Sequence, residues 1–279
     1  MVENRPWANF FAHTVLIIGV ALVVFPVYIA LVASTQAPGE LMRTLPLLPG
    51  SHGIENYTQM WQSGISSANS PPAALMLWNS FVMAMAITVG KLSISLLSAF
   101  AIVYFRFRFR MFFFWLIFVT LMLPVEVRII PTFQVVADLN MLNSFAGLSI
   151  PLIASATATF LFRQFFMTIP EEMLEAARVD GAGPFKFFKD ILMPLSVTNI
   201  AALFVIMFIY GWNQYLWPLL ITTDPDYTTI VMGIQRMTSE ENPQWHLVMA
   251  AVVMAALPPV LVILFMQRLF VKGLTETEK

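Results

Sequence analysis

Residues 163–197 read RQFFMTIPEEMLEAARVDGAGPFKFFKDILMPLSV, and this polar stretch determines how the rest of the chain is interpreted. Pro170 preorganises a first helical turn, and the two glutamates that follow it suit the positive end of a helix dipole. Gly181 provides a backbone that can end this helix, and Pro184 can begin the next one. The pattern therefore predicts two short helices joined by a glycine turn.

The first of these short helices is expected to be amphipathic. Met173, Leu174 and Ala177 fall at i, i+1 and i+4 and form a small apolar face, while Glu175 and Arg178 mark the polar side. Two interpretations remain open on the pattern alone. The segment is either a hairpin that packs on its own chain or a docking element for a soluble partner.

Apolar stretches long enough to cross a membrane lie on both sides of this segment. The chain is 58% hydrophobic and 11% charged, with a mean hydropathy of +0.76. Soluble proteins are about 45–50% apolar and about 25% charged, and a spanning helix needs about 20 apolar residues. The stretches of that length are 13–32, 79–104, 111–130, 144–162, 198–221 and 246–271. We therefore expect an all-α, polytopic protein with six transmembrane helices in one membrane domain over residues 1–279.

The orientation follows from the basic residues, which collect on the cytoplasmic side of membrane proteins. With the N-terminus inside, the outer side holds only Arg43, Arg128 and Arg236, and Lys91 lies within a span. The remaining eleven of the fifteen Lys and Arg residues then lie on the cytoplasmic side. We expect both termini to be cytoplasmic, with 163–197 as the large cytoplasmic loop.

The composition argues against several kinds of chemistry. There is no cysteine, and the three histidines are too dispersed for a metal site. The net charge of -1 gives no basic excess for nucleic acid. Gly90 and Lys91 lie inside an apolar stretch, and no G-x-x-x-x-G-K-[ST] motif occurs. We therefore expect neither a nucleotide site nor a bound cofactor on this chain, and no nucleic-acid partner.

Two other classes of membrane protein have less support in the residues. A proton- or sodium-coupled transporter needs a carboxylate or a broken-helix ion site at mid-membrane, and the six stretches contain no deeply placed Asp or Glu. A membrane acyl- or phosphotransferase needs a histidine or paired carboxylates at an interface, and the dispersed histidines of this chain give that class little support.

Residues 175–194, EAARVDGAGPFKFFKDILMP, resemble the EAA signature of bacterial ABC importer permeases. That signature is EAA, three residues, Gly, nine residues and I-x-L-P. The positions that match in register are Glu175, Ala176, Ala177, Gly181, Ile191 and Pro194. Met193 replaces the usual Leu. The segments WNSFVMAMAIT, AFAIVYFRFRFR, LMLPVEVRIIPTFQVV and GWNQYLWPLL are similar to the carbohydrate-type permeases of that family.

The resemblance implies a type I ABC importer (MetI-like) permease in a bacterial inner membrane, without enzymatic activity of its own. It implies four kinds of partner: a second homologous permease, two copies of a cytoplasmic ATPase, a periplasmic substrate-binding protein and membrane lipid. ATP and Mg would bind on the ATPase subunits.

The resemblance also assigns coupling to the ATPase to the first short helix and its turn. The residues concerned are Met173, Leu174, Glu175, Ala176, Ala177 and Gly181. The apolar side chains would fill a cleft in the ATPase, and the two alanines would allow close approach. Glu175 would orient the helix through polar contacts, and Gly181 would permit the sharp turn.

Within the family, ENRPW (3–7) and the runs 155–182 and 208–220 are similar to permeases for sn-glycerol-3-phosphate. This implies import of that ester and of glycerophosphodiesters. A permease for maltose-like or other oligosaccharides remains the alternative.

Lys91 lies about 18 to 20 Å along its helix from either end of the predicted span. Leaving an ammonium at that depth costs about 2.5–3.5 kcal/mol, so it should face a wet cavity or a polar partner. Thr88 and Ser95 share its helix face. Lys91 either attracts an anionic phosphate ester or bonds to groups of the partner permease.

Trp212, Asn213 and Gln214 are the other candidates for the substrate pathway. The two amides could donate to a phosphate or hydroxyl, and the indole could stack on a carbon face. Interhelical hydrogen bonding together with an interfacial position is the alternative.

Overall fold

The computed structural model describes residues 6–42, 45–120 and 125–276. Its secondary structure is helical, with a single antiparallel bridge between Ile65 and Ser70 in the described residues. In chain order the α-helices are α1 (Pro6–Ala33), α2 (Gly53–Gln62), α3 (Ala73–Tyr104), α4 (Arg110–Val119), α5 (Val125–Asp138), α6 (Phe145–Ser149), α7 (Ala156–Phe166), α8 (Glu171–Val179), α9 (Pro184–Phe187), α10 (Met193–Leu195), α11 (Val197–Trp212), α12 (Leu216–Ile221), α13 (Ile230–Thr238) and α14 (Trp245–Glu276). Short 3-10 turns lie at Glu40–Met42, Ile150–Leu152 and Pro225–Tyr227, and a π-helical turn lies at Phe188–Leu192.

Three helical segments in the described ranges are long and apolar enough to cross a membrane unaided. They are Asn9–Ala33 of α1, the whole of α3 and Trp245–Gln267 of α14. Two bent pairs pass the same test together: Phe145–Leu152 with Ala156–Phe166, bent by 48°, and Pro184–Leu195 with Val197–Trp212, bent by 73°. The described helices thus allow up to five spans by length and composition. The six-span map stays a prediction.

The predicted stretches 144–162 and 198–221 are not single helices, which corrects the sequence-based picture. In the first, Ser155 caps a new helix by accepting a hydrogen bond from the Ala158 N–H at 3.2 Å. In the second, α11 ends at Trp212 and α12 begins at Leu216. Apolar length alone does not reveal such breaks, because one or two polar residues, such as the capping Ser155, hardly change the hydropathy of a long stretch.

The described chain forms two compact units. The first contains the residues up to Ala74 together with Gly233–Ala256, and the second contains the rest. In the first unit, the buried Asn56 of α2 donates to the backbone carbonyls of Ser34 and Gln36, at 2.9 Å each. These bonds hold the chain that follows α1 against α2.

The second unit has a hydrophobic core that joins α3, α7, α8, α9 and α11. Phe162, Phe166 and Phe187 are almost completely buried in it. Burying a side chain of this size stabilises the fold by about 1.5–3 kcal/mol. Helices α3 and α11 approach closely, since a Cβ added at Gly211 would lie 3.0 Å from the Ala84 Cα.

Candidate functional site

The polar segment between the apolar helices folds as the sequence predicts. Helix α8 ends at Val179, Gly181 has φ +73°, and α9 begins at Pro184. The turn is closed by a hydrogen bond from the Ala182 N–H to the Ala177 carbonyl, at 2.8 Å. Open space surrounds the position of a Cβ at Gly181, so the left-handed backbone alone favours glycine there. The helix, glycine turn and second helix are confirmed.

One face of α8 contacts the interior of the second unit of its own chain. Ala177 is 4% exposed within the core, and Leu174 packs against the same core. Glu175, Glu171 and Arg178 lie on the adjoining face and line a cavity of the same unit. Both side chains therefore contact their own chain, and their predicted entry into a cleft of a partner protein stays a prediction.

The opposite face of α8 points away from the core. Met173 is 39% exposed and Val179 is 87% exposed, and Ala176 between them is also exposed. These three residues recur at i, i+3 and i+6, which places them on one side of a helix. We call this set the outer face of α8. The inner face of α8 packs on its own chain, while docking of a soluble partner on the outer face stays a prediction.

Lys91 is 6% exposed in the middle of α3, which confirms that it faces inward. Its Nζ lies 3.6 Å from the centre of the Tyr210 ring of α11. A desolvated cation on an aromatic face gains about 2 kcal/mol or more. Among the described residues, no carboxylate pairs with this ammonium. The contact that the structure gives this ammonium is therefore the aromatic face of Tyr210.

The three pathway candidates at the end of α11 differ in accessibility. Trp212 is 2% exposed and stacks on Phe208, with ring centroids 5.7 Å apart. The Trp212 ring therefore packs within its own chain, and its predicted contact with substrate stays a prediction. Gln214 donates from Nε2 to the Tyr210 carbonyl at 3.1 Å, and Asn213 is exposed. Lys91 and Gln214 therefore share Tyr210 as a neighbour.

One neighbour of Lys91, Tyr210, could not be identified from the sequence. Tyr210 lies in an apolar run, and its position over Lys91 depends on how closely α3 and α11 pack. Within the described residues, no cluster of three or more His, Asp or Glu side chains could hold a metal ion.

Residues 91–276 match the family described as binding-protein-dependent transport system inner membrane component. The chain belongs to this family. Among its relatives, the sn-glycerol-3-phosphate transport system permease protein UgpE of Escherichia coli (strain K12) is 58% identical over 282 residues, with 100% of each chain covered. The same-named protein of Yersinia enterocolitica serotype O:8 is 59% identical over 282 residues, again with 100% of each chain covered.

Solved ABC transporter structures share the fold of this permease. A chain of a bacterial ABC transporter involved in the import of the acidic polysaccharide alginate superposes with a TM-score of 0.77 at 21% identity, covering 96% of this chain and 98% of that one. A chain of the alginate transporter in complex with an alginate pentasaccharide-bound periplasmic protein gives a TM-score of 0.64 at 15% identity, covering 94% and 96%. The predicted fold class, an all-α ABC importer permease, is confirmed.

Proposed function

We propose that this chain forms half of the translocation pore of an ATP-driven importer for sn-glycerol-3-phosphate and glycerophosphodiesters. The observation that carries the proposal is the 58–59% identity to glycerol-3-phosphate permeases over the whole length of both chains. Likeness to alginate transporters at 15–21% identity supports the fold and gives no support for an oligosaccharide substrate.

The proposed assembly contains a second homologous permease, two ATPase subunits that bind ATP and Mg, and a periplasmic binding protein that delivers the substrate. Closure of the ATPases reaches the pore through the outer face of α8. Leu174 and Ala177 on the inner face pack in the core with α3, α7 and α11. A displacement of α8 is therefore transmitted directly to the membrane helices. Such gating of packed helices is a common route to alternating access.

Lys91 is the proposed contact for the phosphate group of the substrate. A buried ammonium held by an aromatic ring, with no carboxylate partner among the described residues, is preorganised for an anion. Gln214, beside the same tyrosine, is the proposed neutral donor, and Asn213 lies at the exposed end of α11.

Uptake by vesicles that contain the assembled complex tests the substrate class. We expect ATP-dependent accumulation of labelled sn-glycerol-3-phosphate, competition by unlabelled glycerophosphodiesters and no competition by maltose, because a neutral sugar offers no charge to Lys91. A complex that lacks the binding protein is the control. Uptake of maltose instead of the ester would overturn the assignment.

Reporter fusions test the proposed orientation. Both termini are expected inside, because this orientation of the predicted spans would put eleven Lys and Arg residues on the cytoplasmic side and three on the outer side. A fusion after Lys272 should have the activity of a cytoplasmic reporter, and a fusion near Gly53 that of a periplasmic reporter. The reverse pattern would contradict the orientation and the placement of α8 on the ATPase side.

A further inference from the structure

A cavity of about 830 Å³ lies beside the inner face of α8 in the second unit. Its walls come from the end of α3, the start of α4, the end of α7, and the segment from α8 to α9. The charged side chains that line it are Arg106, Arg110, Arg163, Arg178, Glu171 and Glu175. Four arginines against two glutamates leave an excess of two positive charges.

Two of these arginines, Arg163 and Arg110, lie in environments that do not fully compensate their positive charge. The Nε of Arg163 is buried and has no hydrogen-bond partner in the described part of the chain. The guanidinium lies 4.3 Å from the Phe114 ring, which holds it in place without satisfying this donor. Arg110 occupies the first turn of α4, where the helix dipole disfavours a cation. An anion in the cavity would offset the positive charge of both guanidinium groups.

The remaining walls are mostly apolar and aromatic. Phe100, Val103, Tyr104, Phe105 and Met111 line the cavity where α3 ends and α4 begins. Apolar walls do not stabilise a small hydrated anion, whereas they can pack against the acyl chains of a lipid. Basic pockets between membrane helices on the cytoplasmic side are typical sites for acidic lipid headgroups.

We propose that this cavity binds the phosphate headgroup of an anionic phospholipid, and that the lipid contacts α8 from its inner face. A lipid headgroup and a free phosphate ion would both present a phosphate group to these arginines, and the experiment below distinguishes the two ligands. The placement in the cytoplasmic leaflet rests on the orientation proposed above. Lipid binding is measured without a transport assay. A failure of the lipid proposal can therefore be distinguished from a failure of the proposed transport function.

The test is titration of the delipidated complex, in detergent, with phosphatidylglycerol or phosphatidylcholine, followed by native mass spectrometry. We expect tighter binding of phosphatidylglycerol. The double substitution Arg110→Gln and Arg163→Gln should weaken that binding by roughly fivefold per arginine. This factor corresponds to the free energy of about 1 kcal/mol that one Lys or Arg gains near anionic lipid. Arg106→Gln, whose side chain is exposed, tests one arginine without disturbing packing.

Arg108→Gln is the matched control. Arg108 lies in the same loop but over the Phe109 ring, outside the cavity, so its loss should leave lipid binding unchanged. The charge-preserving variants Arg110→Lys and Arg163→Lys should retain the preference for phosphatidylglycerol. Equal binding of the two lipids, or an equal loss in Arg108→Gln, would overturn the proposal. Displacement of the lipid by inorganic phosphate would overturn it in favour of a soluble-anion site.

Discussion

Val179→Asp is expected to abolish transport while the permease still inserts and pairs with its homologous partner. Val179 is 87% exposed, so the substitution removes no contact within the chain. In a docked complex the aspartate would be buried against the ATPase without a counter-charge. Leaving a charge unpaired in an interface costs about 2–5 kcal/mol, which weakens binding by about 30-fold or more. Co-purification of the ATPase with the permease measures the effect.

Leu142→Asp provides the control for this experiment. Leu142 is also an exposed apolar residue, at 38%, but it lies in the predicted outer connection before α6. This variant should retain the ATPase, because the proposed orientation places Leu142 on the side away from the cytoplasm. Normal ATPase retention and transport by Val179→Asp would show that the outer face of α8 is not the docking surface.

Lys91→Met is expected to raise the transport Km for sn-glycerol-3-phosphate by at least about tenfold. A hydrogen bond to a charged group contributes about 1.5–3 kcal/mol, and methionine preserves the length of the side chain while removing the charge. ATP hydrolysis should remain coupled, because Lys91 lies in α3 and not on α8. Initial uptake rates over a range of ester concentrations, with ATPase activity measured in the same vesicles, provide the readout.

Thr88→Val is the matched control for Lys91→Met. Thr88 lies one turn earlier on the same face of α3, is fully buried, and donates to the Ala84 carbonyl of its own helix at 2.6 Å. Its loss should leave the Km unchanged. An unchanged Km in Lys91→Met would exclude the substrate role. Loss of the partner permease from the purified complex would instead indicate that Lys91 pairs with that subunit.

Local features of the chain could be predicted without the fold. Pro170, Gly181 and Pro184 act on the backbone within one or two residues, so the short helices and their turn follow from residue type alone. The inward orientation of Lys91 also follows, because a charge at that depth in an apolar helix has no other stable environment. The family resemblance rests on the same segment and on runs elsewhere in the chain, at 78–88, 99–110, 121–136 and 211–220.

The tertiary structure alone decided which face of each helix meets the core. Periodicity groups Met173, Leu174 and Ala177 on α8, yet Leu174 and Ala177 pack inside while Met173 is exposed. Tyr210 of α11 lies over Lys91 of α3 only because these two helices pack together, although the two residues are far apart in the chain. The cavity lined by four arginines is likewise formed by two segments that are far apart in the chain, 100–111 and 163–187. Such contacts depend on how distant helices pack, which the local pattern of apolar and polar residues does not encode.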